Sequence, residues 1–538
     1  MTVTVRDVAA RLRYRRPMEP GSPVPHGVRR GYGVLASTVL GVLVLAVVGA
    51  LMGPGWDPAP LTDPILVSTA DTAITGAPAL GHYATRATVV TVQLAGTTVQ
   101  ARIIEPIGAP DNHAGIVFVH GAGTGQFQGA FVQQAQRLAE NGITTMVPNK
   151  NLETYSTRNR DYVAMAADYE RSVELLRHWP GVDPAGVGVY AESEGAWIAP
   201  IMAAKDPALA FEALVSAPVV PPRQQVAFAI DNYLRNTGVP GGVFRAIPRA
   251  AGMSLPGGGF DYVDFDVRPY VKQMTQPIFV AYGTGDASMP IIQGAQQLLA
   301  DTAASGNHAV TVRYYEGADH GLRVDKQVVP SFIDDVSGWV LGLPGTASSG
   351  PVVAGAQPQQ LFLAAPVPQP RWLGDGDVLV TLVLVAVGLI VLPGIVVAGD
   401  RAVGGIVGSV RRRRQPARPV PDGPRYARGI AWRLGGVALG VVATVAALVW
   451  YLVAVARIAM DYHHNALVVQ GGWLMVRALG IWVIVAIVLL ARRMYDVRAK
   501  GRHAAPGMIR LLATWSVALG TATLLVVLAY WGVFQLGI

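Results

Sequence analysis

Val187-Gly188-Val189-Tyr190-Ala191-Glu192-Ser193-Glu194-Gly195-Ala196-Trp197 is the stretch whose reading decides the fold. Its first four residues belong to a short apolar strand, and Glu194 onward reads as a helix. A serine flanked by small residues stands at the junction. Small residues at a strand-to-helix turn let the two elements approach closely, so that the serine hydroxyl stands exposed at a helix N-terminus; this is the nucleophile elbow, small-x-Ser-x-Gly. Ala191 occupies the position of the first glycine in G-x-S-x-G, and it is still small.

Working outward, strands and helices alternate. Ala87 to Leu94 and Thr97 to Ile104 are β-branched runs separated by Ala95-Gly96 and predict a hairpin. Further strands are predicted over Gly115 to His120, Ile143 to Val147, Gly186 to Tyr190, Phe211 to Ala217, Pro277 to Tyr282 and Ala309 to Tyr315. Helices are predicted near Phe131 to Asn141, Arg160 to Trp179, Glu194 to Ala204, Ile291 to Ala303 and Lys326 to Leu341. Such alternation predicts an α/β fold, a doubly wound and mostly parallel sheet, with functional groups at the C-terminal ends of its strands.

A serine hydroxyl is a weak nucleophile and needs a base that is itself oriented by an acid. Asp286 ends the run PIFVAYGTGD and His320 lies in YYEGADHGL, each just past a strand, in the chain order Ser193, Asp286, His320. Asp319 competes as the acid, but its adjacency to His320 directs its side chain elsewhere. Donors for an oxyanion are the backbone N–H of Glu194, after the serine, and that of Ala122 in the loop HGAGTG, where Gly121 and Gly123 permit tight approach. His120 in that loop reads as structural. Glu192 and Glu194 line an entrance or face solvent.

These motifs, HGAG, AESEG, YGTGD and ADHG, resemble the α/β-hydrolase superfamily, and in particular its dienelactone hydrolase-like and prolyl oligopeptidase-like serine hydrolases. The resemblance covers roughly Ala87 to Leu343. It implies an eight-stranded sheet, reaction through an acyl-enzyme, no metal or organic cofactor, and roles of nucleophile for Ser193, base for His320 and orienting acid for Asp286. Pro221 to about Met274 looks like the cap insertion of these hydrolases, with a helix at Gln224 to Leu234, and specificity is expected to reside there.

The 538-residue chain is 51% hydrophobic and only 14% charged, with a mean hydropathy of +0.36, which suggests membrane spans joined to soluble protein. Five segments are apolar over the roughly 20 residues that cross a bilayer: Val34 to Met52, Val378 to Val397, Leu434 to Val455, Trp473 to Ala491 and Leu511 to Phe534. Arg477 in the fourth sits near its end and is expected to snorkel. Basic clusters precede span one (Arg11, Arg13, Arg15, Arg16, Arg29, Arg30), separate spans two and three (Arg411 to Arg414, Arg418, Arg425, Arg428), and separate spans four and five (Arg492, Arg493, Arg498, Lys500, Arg502). The positive-inside rule then predicts a cytoplasmic N-terminus and a hydrolase domain outside the cytoplasmic membrane. A cleavable signal peptide ending at Val48-Gly49-Ala50 is the rival reading of span one, and the long basic preamble favours an anchor.

The net charge of +8 invites a nucleic-acid reading, but the arginines sit beside apolar runs, as topology requires. With no cysteine, a disulfide framework, a thiolate metal site and a cysteine nucleophile are all excluded. Asp461, His463 and His464 in an outer loop resemble a metal set, but adjacent histidines do not share a helix face, and a solvated loop is the better reading. Pro344 to about Arg371, rich in Pro, Ala, Gly and Gln, reads as an extended or flexible tether.

The function expected is a membrane-bound esterase-like serine hydrolase acting on an ester or acyl substrate, which includes an envelope lipid. An acyltransferase to a lipid or sugar hydroxyl, a peptidase and a non-enzymatic scaffold with a relic domain are the alternatives.

Overall fold

The computed structural model describes residues 26–123, 125–414, 424–460 and 465–536. Arg11, Arg13, Arg15, Arg16 and Arg418 of the basic clusters, and Asp461, His463 and His464, lie outside the described residues. The chain divides into two compact units. One holds 52–382 with 450–473, and the other holds most of the long apolar helices.

Helix α1 (His26–Leu51) opens the described chain. Then come β1 (Ala84–Gln93) and β2 (Thr98–Ile107), an antiparallel hairpin in which Ala84 pairs with Ile107 and Gln93 with Thr98. The doubly wound part follows as β3 (His113–Val119), α2 (Val132–Glu140), β4 (Thr144–Pro148), α3 (Tyr162–Arg177), β5 (Val182–Glu192), α4 (Gly195–Lys205) and β6 (Glu212–Val215). An inserted segment carries α5 (Pro222–Asn236), α6 (Ala246–Ala251) and α7 (Arg268–Val271). The unit continues with β7 (Ile278–Gly283), α8 (Ile291–Ala304), β8 (Val310–Tyr315), a small hairpin of β9 (Arg323–Val324) and β10 (Gln327–Val328), α9 (Pro330–Leu341) and β11 (Val353–Gly355).

The main sheet has the order β1-β2-β4-β3-β5-β6-β7-β8-β11, parallel from β4 onward with β1 and β2 antiparallel at one side. This is the expected α/β-hydrolase sheet with one strand more than the eight that the resemblance implies. The side-chain period of two sends alternate residues to two cores. Val117 and Val119 of β3 join Trp197 and Ile198 of α4 in one, while Ile116 and Phe118 join Leu138 of α2 and Trp339 of α9 in the other.

Three expectations need correction. The ninth strand comes from the segment read as a loose tether: Val353 to Gly355 pair in parallel with Val312 to Tyr314, and Ala354 is fully buried. The tether also meets the other linker, since Leu61 N–H donates to Leu361 O (2.9 Å) and Ser68 N–H to Val353 O (3.2 Å). Edge-strand hydrogen bonding, which leaves no mark in composition, thus orders both Pro- and Gly-rich stretches. Second, the last helix of the unit starts at Pro330, not near Lys326, which sits at positive φ in the tip of the β9–β10 hairpin; proline at the first helical position sets that start. Third, β6 is shorter than Phe211 to Ala217, because Ser216 turns to φ +49° directly after Val215.

The apolar segments fall on five helices long and apolar enough to cross a membrane, Gly31–Leu51, Gly376–Arg414, Ile430–Ile458, Leu467–Ala499 and Met508–Tyr530. They belong to α1, α10 (Gly376–Arg414), α11 (Ile430–Met460), a π turn at Leu467–Gly471 leading into α12 (Gly472–Ala499), and α13 (Met508–Tyr530). Helical backbone therefore outruns the apolar runs: α10 carries its helix through Arg411 to Arg414, and the π turn takes in residues read as outer loop. The last helix stops before Phe534, where Gly532 turns to φ +86°. Within the helical unit, Gly49 of α1 faces α13 so closely that a Cβ there would lie 2.1 Å from Ala529 O, the small-residue contact by which apolar helices pack. Arg477 donates to Gln535 O (2.6 Å), and Arg510 pairs with Asp400 (2.7 Å), so these two arginines among the helices find partners.

Among the described buried polar side chains of the sheet, one carboxyl is left without a partner on either oxygen. Glu212 of β6 is fully buried, neither carboxyl oxygen has a hydrogen-bond partner, and burial pushes its pKa up to about 8 from 4.5. The folded chain keeps this proton where the unfolded chain has lost it, so the contribution of Glu212 to stability is fully present below about pH 4.5 and is lost as pH rises through about 8. We expect Glu212→Gln to remove that decline, giving a higher melting temperature than wild type at pH 8 and a smaller difference at pH 5. Equal pH slopes in wild type and variant would contradict a neutral Glu212.

Candidate active site

Ser193 follows β5 at φ +57°, a left-handed conformation that a non-glycine residue holds only under constraint. The constraint is steric and hydrogen-bonded. Ser193 N–H donates to Val215 O (2.9 Å), and a Cβ on Gly195 would lie 2.5 Å from Val119 O, so only glycine lets α4 start this close to β3. Ala191 lies inside β5, paired with Val119 and Leu214, where a methyl group is accommodated; its glycine-to-alanine departure is thereby explained.

Asp286 follows β7 and His320 follows β8. His320 Nδ1 donates to Asp286 Oδ2 at 2.9 Å, which leaves Nε2 as the nitrogen available for accepting a proton. The other carboxylate oxygen of Asp286 accepts from Ser288 N–H (2.9 Å) and Ser288 Oγ (2.7 Å). Ser216 Oγ donates to His320 O (2.7 Å) and fixes the loop that carries the histidine. Asp319 spends Oδ1 on the N–H groups of Gly321 and Arg323, both at 2.9 Å. Among the described residues no hydrogen bond joins Ser193 Oγ to His320, a contact that commonly closes only when substrate binds.

Burial alone would lower the pKa of His320, but the Asp286 carboxylate and its hydrogen bond outweigh burial and raise it to about 9. Asp286 is held below its usual range: burial would raise it, and the imidazole and the two Ser288 bonds override that. His120 behaves oppositely. Burial pushes it down to about 4, and its Nε2–H donates to Pro148 O (2.6 Å), so it is a neutral strut of the loop.

The Ala122 and Glu194 N–H groups donate to no group among the described residues, whereas their neighbours are used: Gly123 N–H donates to Tyr155 Oη (2.7 Å) and Ser193 N–H to Val215 O. Gly121 brings the two segments together, since a Cβ there would lie 3.2 Å from Ser193 Cβ. A cavity of about 410 Å³ opens at this point, lined by Ala122, Gln126, Phe131, Glu192 and Arg323 among others. No residue of the inserted segment lines it. That segment instead braces the loop that carries Asp286: Gln225 Nε2 donates to Ser288 O (2.9 Å) and Asn232 Nδ2 to Ala287 O (3.0 Å).

Glu194 does not face solvent. Its side chain is 1% exposed and pairs with Lys150 Nζ (3.1 Å), itself wholly buried, and with Arg160 Nη1, while Tyr162 Oη donates to it at 3.3 Å. Lys150 also donates to Gly121 O (2.6 Å). Sequence reasoning missed Lys150, Arg160, Tyr162 and Ser288. The Asp-x-Ser spacing of 286–288 is a turn signal that would have found Ser288, but nothing local marks a lone lysine in the loop after β4. Glu192 is half-buried, and burial raises its pKa above the ordinary value.

No protein-family model matches the chain, and no curated protein matches it. Solved structures similar to it include a dienelactone hydrolase from Anabaena variabilis, 16% identical over 47% of this chain and 96% of that one, with a TM-score of 0.34. A putative dienelactone hydrolase from Klebsiella pneumoniae is 16% identical over 48% and 95%, with a TM-score of 0.33. An esterase from an Arctic intertidal metagenomic library is 14% identical over 47% and 93%, with a TM-score of 0.31. The assignment of fold rests on the strand order above.

If Asp286 sets the basicity of His320, carbethoxylation of His320 by diethylpyrocarbonate, which requires neutral imidazole, should show a midpoint near pH 9. In Asp286→Asn, with burial left to act, the midpoint should fall to the ordinary 6.5 or below, and Asp319→Asn should leave it near the wild-type value. A larger shift in Asp319→Asn would reassign the acid.

Proposed function

We propose that the chain is a membrane-anchored serine hydrolase of carboxylic esters, with Ser193 as nucleophile, His320 as base and Asp286 as orienting acid, working outside the cytoplasmic membrane. The observation that carries this reading is the 2.9 Å His320–Asp286 hydrogen bond beside a serine held at φ +57° on a strand-to-helix elbow. In the reaction His320 Nε2 takes the Ser193 proton as Oγ bonds to the ester carbonyl carbon, and the carbonyl π electrons move onto oxygen. The unused N–H groups of Ala122 and Glu194 receive that oxyanion. Collapse expels the alcohol, protonated by His320, and water repeats the sequence to release the acid and restore Ser193.

The cavity at the oxyanion loop supports a substrate with a compact group beside the reacting carbonyl, and the five apolar helices support an encounter at a membrane surface. The described basic residues at the helix ends, Arg411 to Arg414 of α10 and Arg492, Arg493 and Arg498 of α12, support a cytoplasmic side for those ends.

With p-nitrophenyl butyrate, Ser193→Ala should lose roughly 10⁴-fold or more in kcat/KM while keeping expression and membrane insertion. Hydrolysis undiminished in the variant would remove Ser193 from the mechanism. Topology is testable because the chain has no cysteine of its own. In intact cells an impermeant maleimide should label Ser348→Cys, in the sheet unit, and spare Arg413→Cys on α10, both positions being exposed. The inverse pattern would turn the molecule over.

A further inference from the structure

The buried ionic group around Glu194 has a surplus of positive charge. Lys150 and Arg160 both pair with it, and among the described residues no second carboxylate lies within ion-pair distance of either. Two charges would satisfy the packing; the third needs another reason, since a buried charge is costly unless it is paired.

The position of Lys150 supplies one. Its ammonium donates at 2.6 Å to the carbonyl of Gly121, and that carbonyl and the Ala122 N–H are the two ends of one peptide unit. A trans peptide is planar with C=O and N–H pointing in opposite directions, so anchoring the oxygen aims the N–H to the opposite side. A charge-assisted bond to the oxygen also draws electron density from nitrogen, which makes the N–H a stronger donor. Lys150 is itself held rigidly, because its backbone N–H donates to Gly125 O (2.9 Å) and its ammonium stands 3.9 Å over the Tyr155 ring. Its other bond goes to Glu194, the residue whose backbone N–H is the second unused donor.

We propose that Lys150 is a positioning residue that aims and polarises the Ala122 N–H and ties it to the Glu194 N–H, so that the surplus buried charge opposes the oxyanion formed at Ser193. The inference rests on the serine-hydrolase reading above. The lysine touches no reacting atom and acts through the Gly121–Ala122 peptide. Its influence should therefore grow as charge builds on the carbonyl oxygen and be nearly absent in the ground-state complex.

The test uses the full chain in detergent, comparing wild type with Lys150→Met and with Lys150→Gln, which retains a donor without the charge. Lys150→Met leaves Glu194 paired one-to-one with Arg160, so the fold should survive. We expect kcat for p-nitrophenyl butyrate to fall about 10- to 100-fold in Lys150→Met and less in Lys150→Gln, with KM within about twofold of wild type. A trifluoromethyl ketone adds Ser193 Oγ to its carbonyl carbon, passes the proton to His320 and leaves an anionic oxygen at the two N–H groups. Its affinity should fall by the same factor as kcat/KM, which a loosened fold alone would not produce. If Lys150→Met does not fold, Lys150→Gln carries the test. A wild type that turns over ester, with either folded variant within about twofold of its kcat, overturns the role of Lys150 alone. So does a reduced kcat with unchanged ketone affinity. A wild type that neither hydrolyses the ester nor binds the ketone overturns the hydrolase reading, and this inference with it.

Discussion

Helix α4 can begin where it does only because Gly195 has no side chain: a methyl there would meet the carbonyl of Val119 at 2.5 Å. That single close crossing between α4 and β3 forces β5 to end in a sharp turn, and Ser193 absorbs it at φ +57°. The remaining features follow from the crossing. Because β3 and β5 are adjacent and parallel, the loop after β3 and the elbow after β5 emerge at the same sheet edge, which brings Gly121 against Ser193. The loops after β7 and β8 emerge at the same edge and deliver Asp286 and His320 to each other.

The loop after β4 consolidates this edge. With Pro148 at the end of β4 it meets the loop after β3: Pro148 O accepts from His120, Asn149 accepts from Phe127 N–H, and Lys150 bonds to Gly121 and Gly125. These side-chain bonds are buried or partly buried, which raises their electrostatic weight. The inserted segment contributes further contacts, with α5 on the loop that carries Asp286 and Tyr262 stacked 4.3 Å from the Arg160 guanidinium. Its sequence suggested a cap over the acyl pocket. In the structure its hydrogen bonds here go to the loop that carries Asp286, and its Tyr262 ring stacks on Arg160, a partner of Glu194.

What the sequence makes legible is what short-range physics fixes. The period of two in GIVFVH, the small residues about Ser193, and the placement of Asp286 and His320 directly after strands are local patterns, and the alternation of strands with helices around them marks a mostly parallel sheet. Three things were not legible. The partners of Glu194 come from residues 44, 34 and 32 positions away, and a charged side chain beside a serine carries no mark of where its counterions lie. The ninth strand is three residues long and pairs through backbone groups that every residue possesses. The helix ends beyond the apolar runs depend on hydrogen bonding that continues wherever nothing interrupts it, so hydropathy marks the hydrocarbon thickness and not the helix.

A working site here requires Ser193 to be an activated nucleophile, and the most direct test is covalent. Purified full-length chain would be treated with a fluorophosphonate probe, digested, and the adduct located by mass spectrometry. A single adduct on the peptide containing Ser193, abolished in His320→Ala, is the predicted result. A folded chain that takes no label, or an adduct on another serine that persists in His320→Ala, would contradict it.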